Sequence, residues 1–295
     1  MMSTASWIFS SKVAFVSPSR YPTRVWRGVL AAGWRSLAGA TVVATLSIIG
    51  GGAALLTISG KQSPGAWILL GALGVGLVVA LHLQQLPSAR KGRLGRTTVR
   101  IEVGDLFDGM DHIVIPVNEF FDSELGDRVA PRSLHGQAIQ KLFDCDSQKF
   151  RAATDLSLSQ AQVTPLSAAT DDGRPRYEIG TTAVVDAGGR RLFLTALTHT
   201  DVATRKASAD IDDLLKTLAS LWNTVRDRCN GEQVRVPVIG AGLAQVPLST
   251  RGLLQMLLLS VERASLERAI SNDGLTIVLT DDAFGEVDLR DLTLD

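Results

Sequence analysis

Two short stretches hold the residue types best suited to gripping a ligand. Residues 103–127, VGDLFDGMDHIVIPVNEFFDSELGD, place a carboxylate, Asp105, just after one apolar run and an amide, Asn118, where the next run stops. An acidic, glycine-containing loop follows. If the apolar runs are strands, both side chains point into a crevice at the strand ends. Further along, Gly240-Ala241-Gly242 lies directly after an apolar run and before an amphipathic segment. Ser249 or Thr250 is the expected helix N-cap, with Pro247 stiffening the approach. Glycines there let backbone N–H groups approach a pyrophosphate, helped by the positive end of the helix. The same glycines also suit an ordinary tight turn.

Positioning these residues requires a layered sheet. Apolar runs at 98–103, 112–117, 181–186, 191–197, 233–239 and 275–280 read as strands, several of them continuous as expected for strands covered on both faces. Helices are predicted over 132–143, 209–228 and 250–270. In the second, Ile211, Leu214, Leu218, Trp222 and Val225 recur every three or four residues and mark one buried face. Strands alternating with helices predict an α/β fold, in which ligands bind beyond the carboxyl ends of the strands. Residues 144–176 lack periodicity and read as a loop or irregular insertion.

The N-terminal third differs in kind. Residues 1–96 contain ten Lys or Arg and no Asp or Glu, so the remainder carries all 30 acids of a chain with zero formal net charge. A nucleic-acid role for the acidic remainder is disfavoured, because neutralising phosphates needs clustered Lys and Arg. Residues 37–58 and 67–86 are apolar and free of charged side chains, each close to the roughly 20 residues that span a bilayer as a helix. The break at 59–65 carries one basic residue, Lys61, whereas basic residues flank the pair on both outer sides. The positive-inside rule then predicts a two-span membrane hairpin with both termini cytoplasmic. Small residues at Ala72, Gly76 and Ala80, and at Gly50 and Ala54, suit close helix–helix approach within the hairpin or between copies. The expected organisation is a basic N-terminus (1–35), the hairpin (36–86), a basic linker (87–96) and an α/β domain (97–295).

Metal and redox chemistry find little support. Cys145 and Cys229 are far apart and lack histidine partners at ligand spacing, so neither a zinc site nor a disulfide is expected, and both read as buried or partly buried thiols. His135 and His199 are candidate bases, but the sequence places no carboxylate to orient either, which favours structural roles.

Taken together, "VGDLF", "IVIPVN", "ELGDRVAPRSLHGQAIQ" and "VIGAGLAQVP" resemble the macro domain, the ADP-ribose-binding fold, over about residues 97–295. The resemblance implies a mixed sheet sandwiched by helices. It also implies that Asp105 accepts from the adenine amino group beside Leu106, and that Asn118 contacts the distal ribose. Gly126 would serve the first phosphate-side loop, Gly240, Ala241, Gly242 and Leu243 would wrap the pyrophosphate, and Phe284 would stack on the adenine. Hydrolytic macro domains usually show a run of small residues ending in Asn and then a triple-glycine loop; PVNEFFDSELGD is bulky and acidic with one glycine. A two-span hairpin ahead of such a domain resembles the membrane effectors of type II Thoeris anti-phage defence. There a partner TIR-domain enzyme consumes NAD and makes a histidine-conjugated ADP-ribose, and the effector responds by oligomerising and damaging the membrane. The resemblance implies a non-enzymatic sensor without catalytic residues, metal or cofactor. The acidic residues lying next to Asn118 add an expectation of their own, that Glu119, Asp122 or Glu124 faces the amine of the adduct. A membrane-tethered ADP-ribosyl hydrolase, or a reader of ADP-ribosylated proteins, is the alternative.

Overall fold

The computed structural model describes residue 74 and residues 89–294, except 169–173, 202, 205 and 245. The basic N-terminus and the expected hairpin, Gly74 apart, lie outside the described residues. Among the described residues no helix is long and apolar enough to cross a membrane. Ser88–Asp295 forms one unit by itself.

In that unit the chain builds β1 (Ala89–Leu94), β2 (Thr97–Val103), β3 (His112–Asn118), α1 (Leu134–Leu142), α2 (Ser147–Gln160), β4 (Ser167–Ala168) and β5 (Pro175–Arg176). It continues through β6 (Thr182–Ala187), β7 (Arg190–Thr200), β8 (Ala207–Ser208), α3 (Ile211–Arg228), β9 (Val234–Pro237), α4 (Thr250–Ala264), β10 (Leu275–Leu279) and α5 (Asp281–Glu286). The main sheet runs β1-β2-β10-β9-β3-β7-β6, with β8 pairing β7. Strands β2, β10, β9, β3 and β7 are mutually parallel, while β1, β6 and β8 join antiparallel at the margins.

The central strand β3 is buried along nearly its whole length, as expected between two covered faces. Its alternate residues Ile113, Ile115 and Val117 pack with Ala138, Ile139, Phe143, Phe150 and Leu158 of the α1–α2 layer. The opposite face is covered by α3, whose Thr217 hydroxyl donates to the Ala196 carbonyl of β7 at 3.1 Å. Helix α3 buries Leu214, Leu218, Leu221, Trp222 and Val225, and each large apolar side chain so buried contributes about 1.5–3 kcal/mol. It starts with a capping box between Asp210 and Asp213. Trp222 Nε1 donates to Ser260 of α4 at 3.0 Å, tying the two helices together.

Three expectations need correction. The supposed linker at 87–96 contains β1, paired with β2 over six residues. The supposed irregular stretch at 144–176 contains α2, N-capped by Asp146 and burying Phe150, Thr154 and Leu158. One of those three buried positions is a polar Thr, which is why the apolar period did not show. Helix α4 stops at Ala264 rather than near 270. Ser265 ends it, its hydroxyl donating to the Leu94 carbonyl at 2.6 Å.

A candidate ligand crevice at the ends of two diverging strands

Strands β3 and β9 pair only at His112–Val234 and Ile113–Arg235. Beyond these, Pro116 in β3 and Pro237 in β9 lack the N–H a ladder requires. After β3 the chain next enters the main sheet at β6, on the β7 side, and after β9 at β10, on the other side. A parallel sheet opens at such a switch point. Around this opening lie Gly104-Asp105 after β2, Asn118 at the end of β3, the 238–249 loop after β9 and Thr198–Thr200 at the end of β7.

Asp105 is exposed at this rim. Its Oδ1 accepts from the Phe107 amide at 3.0 Å and its Oδ2 from Lys141 at 2.9 Å. Lys141, the basic residue in the last turn of α1, also sits 4.4 Å from the centre of the Phe107 ring. Partial burial pushes the Asp105 carboxyl up, but the Phe107 amide and the Lys141 charge outweigh it and hold it below the usual carboxylate range. Leu106 next to it is buried in the core.

A bulge between Val117 and Asn118 brings Asn118 opposite Thr198 and re-aims the amide. Its Nδ2 donates to Asp122 at 2.6 Å, and its Oδ1 accepts from the Asp122 amide at 3.1 Å. One N–H and one lone pair remain for a ligand. Asp122 is itself buried against Arg174, with Arg128 at 3.9 Å.

The glycine loops adopt the conformations their sequences require. Gly126 has φ +89 and Gly240 has φ +92, a region side chains rarely enter. Gly240 is buried, whereas Ala241, Gly242 and Leu243 are exposed. Ser249 caps α4 by accepting from the Gly252 amide at 3.2 Å, so the loop leads into a helix N-terminus as expected.

The acidic residues do not fit the expectation of carboxylates facing a ligand amine. Glu119 is 1% exposed, and its oxygens are taken by the Thr200 amide at 3.1 Å, Arg176 at 3.1 Å and His199 at 2.8 Å. Asp122 is 2% exposed and held as described. Bulky Phe120 and Phe121 turn inward here and carry these carboxylates with them; only Glu124 stays exposed, beside Arg128 at 3.1 Å. Phe284 is 5% exposed, too covered to offer a stacking face, and packs in α5 as a core residue. Cys229 is buried but Cys145 is exposed, and both are free.

The histidines also depart from expectation. His199 is clamped by two carboxylates, Glu119 at Nδ1 (2.8 Å) and Asp213 of α3 at Nε2 (3.2 Å). Burial lowers its pKa, but the hydrogen bonds and charges of Glu119 and Asp213 outweigh this and raise it above 6.5. His135 is fully buried, and desolvation pushes it down to about 3, against the Asp122 carbonyl and with the help of the Arg174 charge. Lys141, Arg176 and Asp213 therefore join the site although the sequence had not singled them out. The paired acids at 210 and 213, read as a capping box, were the available signal for Asp213.

These two histidines set opposite pH windows. The unfolded chain protonates both near 6.5. His199 holds its proton more tightly when folded, so its contribution is complete below pH 6.5 and disappears as pH rises through its raised midpoint. His135 refuses the proton when folded, so stability falls as pH drops from 6.5 toward 3, by up to about 1.4 kcal/mol per unit. NMR titration of the two rings, with urea unfolding at pH 5, 6.5 and 9, checks both signs.

The mixed sheet, its switch-point opening and the glycine loop feeding a helix define an α/β domain of the macro type. The chain belongs to the family described as Thoeris protein ThsA, Macro domain, whose model matches residues 99–280, more than half of the sequence. A similar relative is the Thoeris protein ThsA of Bacillus amyloliquefaciens (strain Y2), 24% identical over 173 residues, 56% of this chain and 55% of the relative. The chain thus spans about half the length of that curated relative. Among solved structures, a macrodomain variant of Oceanobacillus iheyensis with ADPR is similar at TM-score 0.46 and 13% identity, covering 67% of this chain and 93% of the other. A Trypanosoma brucei macrodomain in complex with ADP-ribose is similar at TM-score 0.38 and 15% identity, covering 64% of this chain and 66% of the other.

Proposed function

We propose that the crevice binds a nucleotide of the ADP-ribose type and that the protein is a sensor–effector of Thoeris anti-phage defence. What supports this reading most is that the chain is a member of the Thoeris macro family in which Asp105, Asn118 and the Gly240–Leu243 loop all follow the carboxyl ends of parallel strands, β2, β3 and β9. In this reading Asp105, oriented by the Phe107 amide and Lys141, accepts from the adenine amino group. The remaining Asn118 N–H meets the distal ribose, and the amides of Ala241, Gly242 and Leu243 lie along the pyrophosphate. The signal is a histidine-conjugated ADP-ribose made by a partner TIR-domain enzyme from NAD. Binding favours an oligomer, and the 37–58 and 67–86 segments, as an inner-membrane hairpin, damage the membrane. A ligand drives such a change only if it binds the assembled form more tightly. The protein is a binder rather than an enzyme in this account: both nitrogens of His199 already face carboxylates, which supports a fixed imidazolium over a free base.

Calorimetry of the chain with ADP-ribose and its histidine conjugate tests the reading. Heat is expected with at least one, and none with either overturns it. Gly242→Val sharpens the test. A Cβ at Gly242 would meet nothing within 4 Å and its φ is unstrained, so stability should change by less than about 0.5 kcal/mol. A bulky side chain on an amide that approaches a pyrophosphate should nevertheless cost at least about tenfold in affinity, or about 1.4 kcal/mol. Unchanged affinity would remove the loop from the site.

A further inference from the structure

Resting on that nucleotide reading, we infer that the rim beyond Asn118 recognises a carboxylate at the distal end of the ligand, with Arg176 as the contacting residue. The inference follows from how charge is layered there. The acids lie underneath: Glu119 is 1% exposed and accepts from the Thr200 amide, Arg176 and His199. The side chain of Asp213 is 9% exposed and faces His199. The groups on top are bases, the Arg176 guanidinium and the His199 imidazole. The side chain of Arg176 is 36% exposed and that of His199 is 51% exposed. An ammonium group arriving at this rim meets the Arg176 charge and a His199 ring that two carboxylates hold toward its protonated form, and finds the Glu119 oxygens already taken. A carboxylate meets the opposite arrangement.

Position and donor capacity agree with this. His199 directly follows Thr198, which pairs with Asn118 across the bulge. Arg176 reaches the same spot from β5, its guanidinium 5.5 Å from the centre of the Phe120 ring. A guanidinium carries five N–H groups in a planar fork suited to carboxylates. Arg176 directs Nη2 at Glu119 and retains further N–H groups for a ligand. The Glu119 contact fixes the fork in place, so little rotamer freedom is lost on binding.

The test is calorimetry of the full chain with four probes: ADP-ribose and its conjugates with histidine, with histamine (amine but no carboxylate) and with imidazole-propionate (carboxylate but no amine). The histidine and imidazole-propionate conjugates should bind within about threefold of each other. The histamine conjugate should be weaker by about tenfold, the scale of one charge-assisted hydrogen bond. Arg176→Gln should bring all three conjugates to similar affinity, and Arg176→Lys should keep part of the preference; thermal melts establish that both variants fold. A histamine conjugate that binds as tightly as the others, or an unchanged preference in folded Arg176→Gln, overturns the carboxylate assignment while the nucleotide reading stands. No heat with any probe, ADP-ribose included, overturns the nucleotide reading and this inference with it.

Discussion

Replacing Asp122 with alanine should lower the unfolding free energy by about 3–5 kcal/mol, the scale of removing one partner from a buried ion pair. Asp122 is 2% exposed and Arg174 3% exposed, so the variant leaves a buried guanidinium without the carboxylate it packs against. The same change removes the acceptor for Asn118 Nδ2. It also loosens a turn in which Phe121 holds φ +51, a costly conformation for an aromatic residue. Domains of this size have about 5–15 kcal/mol to lose, so the effect is large. The control is the double replacement Asp122→Leu, Arg174→Met. Because paired burial of charge is itself costly, the double variant should recover most of the loss. Urea unfolding of both variants decides the matter; a double variant as unstable as Asp122→Ala would mean that the turn, rather than the charge, carries the effect. In either case Asn118 keeps the bond from the 122 amide but loses the carboxylate that holds its Nδ2, and affinity for the proposed nucleotide should fall.

The second large effect separates two glycines that look alike in sequence. Gly136 in α1 and Gly252 in α4 each lie three residues after a serine N-cap, Ser133 and Ser249, whose side chain accepts from the glycine amide. Helix propensity alone predicts that alanine stabilises both by up to about 1 kcal/mol. At Gly252 a Cβ would meet Ser249 Oγ at 3.4 Å, an ordinary contact, and that gain should appear. At Gly136 a Cβ would lie 2.3 Å from the Ala130 carbonyl oxygen and 2.9 Å from Pro131 Cα. Both are backbone atoms, so no rotamer change relieves the clash. Overpacking of about 1–3 kcal/mol or more then exceeds the propensity gain, and Gly136→Ala should be net destabilising by about 2 kcal/mol. Thermal melts of the two variants should shift in opposite directions; equal shifts would refute the close approach of α1 to the 126–131 loop.

What the sequence made legible was set by local chemistry. Continuous apolar runs marked the parallel strands, and the strand-ending Asn118 and the Ser249 cap lay where expected. Strand β1 escaped notice because an edge strand exposed on one side can be built from charged residues, as ARKGRL is. The candidate site was legible only in outline. Asp105 and the 240–243 loop could be placed at strand ends because turn chemistry is local. The partners that tune the site come from elsewhere in the chain: Lys141 lies 36 residues from Asp105, and His199 lies 80 residues from Glu119. Nothing in an acidic stretch such as NEFFDSE reveals that Glu119 and Asp122 turn inward, because that depends on which distant cations the fold delivers.

The pairing of β1 bears on how a signal would travel. Ala89 lies opposite Glu102, three residues before Asp105 and therefore about 10 Å from it at strand spacing. The first described strand thus joins the sheet beside the Gly104–Asp105 corner, at the carboxyl end of β2. Any stiffening of the Gly104–Asp105 corner is transmitted to the first paired residues through a hydrogen-bonded ribbon, with no slack tether in between.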